Sequence, residues 1–348
     1  MITGMPPSDQ QSLSPPSDHP PRAMCKPLFT VPVRWALALF AFIWLILFFS
    51  HRALYYIQPG SDIVVQEKCR LAVGSDLFPA SVQQPKVKVV VVGNSRVLAS
   101  FMPILFDQQI GPHCRSWNMG VPGIEEFSSL IASVAGNSRP THLLLVDPPV
   151  AERSDTAWQT ITDDNRNLQR IFPFRRLPRD LFNFLRLSAR HGGAQAYWDK
   201  NRELISQVLD ERGYFFISSQ SLFPGDRLPD DFRLPSDEPN LVQVREYAEL
   251  TESAQALRRL AIRYGITVLL IPPAFRENSR APSSGDPARI PPGYPIGVCG
   301  PDYMRYPNRC FSDFVHMNRE GAERYTRELA TLLKDRLVPV EAAERAEK

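Results

Sequence analysis

The chain is poor in the features that most readily reveal a function. It has five cysteines in 348 residues and no C-x-x-C pair, and its six histidines are scattered, so no spacing resembles a zinc site. No G-x-G-x-x-G follows a strand, which removes the dinucleotide fingerprint. No G-x-S-x-G is present, which removes the nucleophile elbow of the α/β-hydrolase type. The formal net charge is only +3, too small and too dispersed for a nucleic-acid partner. There is no internal repeat. No cofactor and no metal are expected.

Proline is what the chain has in excess. Its 33 prolines concentrate in residues 6–32 and 272–307, which reads as a tail and irregular loops. Residues 1–30 are expected to be a disordered tail and residues 339–348 a second one. Between Trp35 and Phe49 the sequence WALALFAFIWLILFF is apolar without a break. With its flanks, the segment 31–57 reaches the roughly 20 residues of a membrane span. Arg34 and Arg52 suit its ends, and Trp35, Tyr55 and Tyr56 suit the interfaces. A cleaved signal peptide would need small residues that Phe49-Ser50-His51-Arg52-Ala53 does not supply. The expectation is an uncleaved single-pass anchor in the cytoplasmic membrane. Arg22, Lys26 and Arg34 place the N-terminus in the cytoplasm and everything after Ile57 in the periplasm or beyond.

Export leaves Cys69, Cys114, Cys299 and Cys310 on the oxidising side. Two pairs are expected there, Cys299 with Cys310 and Cys69 with Cys114; four unpaired buried thiols are the other reading.

Residues 58–85 read as a linker and residues 86–338 as one α/β domain. The run Lys86–Val92 is nearly all valine, as in a central parallel strand covered on both faces. A helix is expected over Val97–Gln109 with an imperfection at Pro103, a strand over Arg115–Asn118, a helix over Glu125–Ala135 and a strand over His142–Val146. The rhythm resumes with a helix over Val244–Tyr264, a strand over Ile266–Ile271 and a last helix capped by Asn318, its apolar stripe running through Ala322, Tyr325, Leu329 and Leu333. An insertion at about 150–240 should hold two helices, near 178–190 and 195–211. The β-α-β-α-β order implies a three-layer α/β/α, doubly wound, mainly parallel sheet.

Sites in such folds form beyond the carboxyl ends of the strands. Ser95 stands just past the first strand. Gly120 and Gly123, in Asn118-Met119-Gly120-Val121-Pro122-Gly123, stand past the second, and Asp147 past the third. Asp313 and His316 precede the last helix, three residues apart. A serine, a histidine and an aspartate so placed can act as nucleophile, base and orienter, with the amides of Ser95 and Gly120 as an oxyanion hole. Taken singly, each has a plainer explanation: a helix cap, a turn glycine, a surface pair.

In this order the three blocks resemble the SGNH (GDSL-type) hydrolase superfamily, across roughly residues 86–335. The anchor and exported domain are similar to its membrane-anchored members, the DltD and alginate-acetylation types, linked to O-acylation of cell-surface polymers. The resemblance implies an esterase or O-acyltransferase acting on an extracytoplasmic carbohydrate or envelope polymer, beside an integral membrane acyltransferase. Ser95, His316 and Asp313 would be catalytic. The sequence departs from the pattern at Asn94, where aspartate is usual, and at Arg96, where leucine is common. At the third block it reads Val146-Asp147-Pro148-Pro149 instead of Gly-x-Asn-Asp. The oxyanion asparagine is missing there, and Asn94 or Asn118 is the substitute on offer. The competing expectation is a degenerate domain that binds polysaccharide or scaffolds an envelope assembly. The arginines at 175, 176, 179, 186 and 190 suit a groove for an anionic polymer, a solvated helix face or one facing anionic lipid headgroups.

Overall fold

The computed structural model describes residues 31–57, 60–74, 77–79, 85–122, 128–146, 177–215, 223–234, 252–277, 279, 296–301 and 303–337. The chain divides between Phe49 and Ser50. Helix α1, Val31–Leu54, is continuous over 24 residues. Its exposed side chains include Trp35, Leu37, Leu39, Phe40, Phe42, Ile43, Leu45 and Ile46. Among the described residues no helix is long and apolar enough to cross a membrane.

The larger unit is α/β, with a parallel five-stranded sheet in the order β2-β1-β3-β4-β6. Its strands are β1 (Val87–Gly93), β2 (Cys114–Gly120), β3 (His142–Leu145), β4 (Thr267–Leu270) and β6 (Ile296–Val298). Two short parallel strands, β5 (Ala274–Arg276) and β7 (Met304–Tyr306), pair separately.

Period-two geometry divides the valines of β1 between two cores. Val90 and Val92 join α2 (Gly60–Gly74), α5 (Ser128–Ser138) and α8 (Glu252–Tyr264) on one side. Val87, Val89 and Val91 join α3 (Ser95–Ser100), α4 (Pro103–Ile110) and α9 (Arg319–Leu333) on the other. Burial on both faces is why β1 carries no polar alternation.

Some elements differ from the sequence reading. The helix expected over Val97–Gln109 is two, because Pro103 has no N–H and forces Met102 into extended backbone; it sits instead at the first position of α4. The Thr326 hydroxyl accepts from the Met102 N–H at 3.1 Å and donates to the Ser100 carbonyl at 3.2 Å, satisfying the broken backbone. Residues 58–85, read as linker, contain α2, whose Ile63, Val64, Lys68, Cys69 and Ala72 are buried. Its inner face buries the charged Glu67 and Lys68 beside apolar residues, which breaks the hydrophobic pattern by which a core helix is read. The insertion helices are α6 (Leu177–Arg190) and α7 (Ala194–Asp210), close to expectation. For the first parts of the helices read over Glu125–Ala135 and Val244–Tyr264, residues 125–127 and 244–251 lie outside the described residues. Gly265, at φ +64°, ends α8, and the Ile266 N–H bonds back to the Ala261 carbonyl at 2.9 Å. The stripe Ala322, Tyr325, Leu329, Leu333 is buried, with Asn318 as the N-cap of α9.

Candidate active site

Strand β1 ends at Gly93, and Asn94 leaves it in extended backbone as the N-cap of α3. Its side-chain oxygen accepts the Arg96 N–H at 2.9 Å. This cap places Ser95 at the first helical position, half-buried, above the carboxyl end of the sheet.

The opposite wall is a small closed loop. Phe311 and Met317 form an antiparallel bridge, and the Ser312 N–H donates to the His316 carbonyl at 2.9 Å. Inside it, Asp313 Oδ1 accepts the Val315 and His316 N–H groups, each at 2.7 Å. The second carboxylate oxygen lies 2.7 Å from His316 Nδ1, and His316 Nε2 lies 2.8 Å from Ser95 Oγ. The D-x-x-H spacing is what permits this. A three-residue turn folds the ring back onto the carboxylate, while the carboxylate itself satisfies the turn.

Burial alone would raise the Asp313 carboxyl. The hydrogen bonds from the His316 ring and from the His316 and Val315 amides outweigh it and hold the group below the usual carboxylate range. An ionised Asp313 fixes the His316 tautomer with hydrogen on Nδ1 and leaves Nε2 to accept the Ser95 hydroxyl proton. The Asp313 and His316 side chains are 33% and 21% exposed, open enough for a substrate to reach.

The expected oxyanion donors fare differently. The Gly120 N–H donates to Asn118 Oδ1 at 2.8 Å. Asn118 is fully buried, and its amide donates to the carbonyls of Val97 at 2.8 Å and Phe101 at 2.8 Å, with a longer contact to Leu98 at 3.3 Å. Asn94 turns its oxygen to the helix cap. The Gly120 N–H and the Asn118 amide are thus engaged within the protein, whereas Asn94 commits only its oxygen; the amide of Ser95 remains, as a first-turn donor that a helix leaves without an internal acceptor. Gly120 has a different task. A Cβ there would stand 2.5 Å from the Leu98 nitrogen, so its lack of a side chain lets β2 pass beneath the nucleophile helix. Gly123 and Asp147-Pro148-Pro149 lie outside the described residues.

Three supporting residues escaped the sequence reading. Lys68 is fully buried, and its Nζ donates to the Gly120 carbonyl at 2.6 Å, with Asn118 Oδ1 at 3.5 Å. Burial drives its pKa well below the ordinary lysine value. Arg276 is buried on β5, and its Nε donates to the Phe314 carbonyl at 3.1 Å, bracing the loop between Asp313 and His316. The Arg96 guanidinium lies over the Phe275 ring at 4.5 Å. No short motif marks Lys68 or Arg276, and the motif that holds Arg96 does not report its partner, because each acts through a distant backbone group or ring.

The expected disulfides are absent: Cys69, Cys114, Cys299 and Cys310 are all free and buried. Cys69 packs in the core on one face of the sheet and Cys114 in the core on the other. Cys310 lies against Gly321 near the start of α9, whereas Cys299 lies near Arg336 beyond its end. From Gly321 to the end of that helix is about 18 Å along its axis, beyond the Cα separation of about 7 Å that a disulfide tolerates. Among the described residues no group of His, Cys, Asp and Glu could hold a metal ion.

Protein-family models, curated proteins and solved structures yield no match to the chain.

Proposed function

We propose that the domain is an SGNH-type serine esterase or O-acyltransferase that acts on an extracytoplasmic carbohydrate or envelope polymer. The observation that carries this is the relay from Asp313 through His316 to Ser95, with both ring nitrogens at hydrogen-bond distance. Ser95 Oγ attacks an acyl carbonyl as His316 Nε2 takes its proton. Asp313 stabilises the imidazolium, and the Ser95 amide donates to the oxyanion. His316 returns the proton to the leaving alkoxide, giving an acyl-serine. Water or a sugar hydroxyl, deprotonated by the same imidazole, then releases the acyl group. The choice of acceptor separates esterase from transferase.

Residues 31–57 are the membrane anchor in this proposal, and the domain lies on the periplasmic side, where an integral membrane acyltransferase can pass it the acyl group. The unbroken apolar sequence and the continuous backbone of α1 support the anchor.

A fluorophosphonate probe should label the wild-type protein and leave Ser95→Ala unlabelled. A second reading, a polysaccharide-binding or scaffolding domain without turnover, draws on the engagement of Gly120 N–H inside the fold. An unlabelled wild type whose Ser95→Ala variant keeps full cellular function decides for it.

A further inference from the structure

Helix α6 presents three surfaces. Phe184 and Ser188 are buried, with Phe184 packed against Ile57 and Tyr197. Leu181, Phe182 and Leu185 are 45%, 67% and 59% exposed, and their i, i+1, i+4 spacing puts them on one stripe. Arg179, Arg186 and Arg190 follow the i, i+7, i+11 row beside that stripe, all exposed, and none forms an ion pair with the described residues. Outside α1, the exposed large hydrophobics among the described residues are these three together with Leu209, Ile262 and Phe314. A helix that buries one face, exposes a second apolar stripe and edges it with arginine has the pattern of an interfacial helix lying at a bilayer surface.

The position of α6 in the fold points to the same occupant. Its buried face rests on Ile57, three residues beyond the end of α1 at Leu54. The following helix, α7, holds the same junction. Trp198 packs on Tyr56 with ring centroids 5.4 Å apart, and Asn201 Nδ2 donates to the Tyr56 carbonyl at 2.8 Å. Tyrosine and tryptophan at such a junction suit the headgroup level.

We propose that α6 docks on the surface of an anionic lipid bilayer, inserting Leu181, Phe182 and Leu185 at the acyl boundary with Arg179, Arg186 and Arg190 among the headgroups. This rests on the reading of residues 31–57 as a membrane anchor and adds a second attachment to it. The consequence is positional. Helix α7 runs about 25 Å from the α6 turn, and just past its end the Arg212 carbonyl accepts the Asn118 N–H at 2.9 Å, while the Phe215 N–H donates to the Leu98 carbonyl at 3.2 Å. The docked hairpin therefore connects the lipid surface to β2 and to the helix that carries Ser95, and sets the height and facing of the site above the membrane.

The test is spin-label accessibility in the full-length protein, reconstituted in nanodiscs of phosphatidylcholine and phosphatidylglycerol, on a Cys25→Ser background. Labels are placed singly through Leu39→Cys, Phe182→Cys, Leu185→Cys and Ile262→Cys. The expected result is a ratio of lipid-soluble to aqueous relaxation about tenfold higher at 182 and 185 than at 262, reduced by Arg179→Gln, Arg186→Gln and Arg190→Gln together. A lipid signature at 39 with aqueous exposure at 182 and 185 overturns the docking alone. Aqueous exposure at 39 as well overturns the anchor and the docking with it. Positions 182 and 185 shielded from both relaxation agents would assign the stripe to a protein partner and overturn the lipid assignment.

Discussion

The N–H of Gly120 is bonded to the side-chain oxygen of Asn118 two residues earlier, at 2.8 Å. The same amide group reaches over to the closing carbonyls of α3, the helix that begins with Ser95. A residue that sequence offers as an oxyanion donor is thus part of the frame that holds the nucleophile.

Asp313→Asn should leave the fold intact and reduce turnover by about 10³–10⁴-fold, because the amide no longer holds the imidazole in the tautomer that accepts the serine proton. Single-turnover acylation of wild type and variant with an activated ester measures this. Equal rates would remove Asp313 from the mechanism.

The lowered pKa of Asp313 also has a stability consequence. Its folded value lies below its unfolded value near 3.9, so its contribution is present above about pH 4 and is lost as pH falls through the folded value. The stability that Asp313 contributes relative to Asp313→Asn should be present at about pH 5 and shrink as pH falls below about 4. Urea titrations across that range are the measurement.

The Lys68 pKa is lowered as well, but its shift records a penalty on the charged form rather than a gain. Burial lowers its folded pKa well below 10.5, so below that value the unfolded chain binds the extra proton and folding is penalised. Wild-type stability relative to Lys68→Met should therefore rise with pH through the alkaline range and level off near 10.5. Asn118→Ala, which leaves the Gly120 N–H and the α3 carbonyls without partners, should cost about 3–5 kcal/mol at neutral pH. Chemical denaturation of the variants provides both numbers.

The four buried thiols should resist modification. Burial raises each of them, so the thiolate that reacts is scarce as well as shielded. Native alkylation followed by mass mapping should find Cys69, Cys114, Cys299 and Cys310 unmodified and reduced, and all four labelled once the chain is unfolded. A mapped Cys299–Cys310 bridge would contradict the structure.

Much of the larger unit was legible in residue order. The valines of β1 demanded burial on both faces, Asn318 announced the start of α9, and Ser95 and the Asp313–His316 pair stood at strand ends where parallel sheets place their sites. Each of these signals is local: a period, a cap, a spacing of three. Helix α2 was missed because its place in the core depends on the sheet face it covers, and no local pattern reports that.

What residue order could not decide was how distant polar groups share their hydrogen bonds. Ser95 and His316 are 221 positions apart, and only the fold sets their nitrogen–oxygen distance at 2.8 Å. Gly120 and Asn118 looked equally able to donate to an oxyanion or to the protein itself; packing α3 across β2 buried them and left the internal bonds as their means of satisfaction. The same logic governs the cysteines, placed on opposite sheet faces or toward opposite ends of one helix. The sequence determined which chemical groups were present and the elements that carry them. The tertiary structure decided which of those groups remain available for chemistry, because burial obliges polar atoms to pair and only the fold determines with whom.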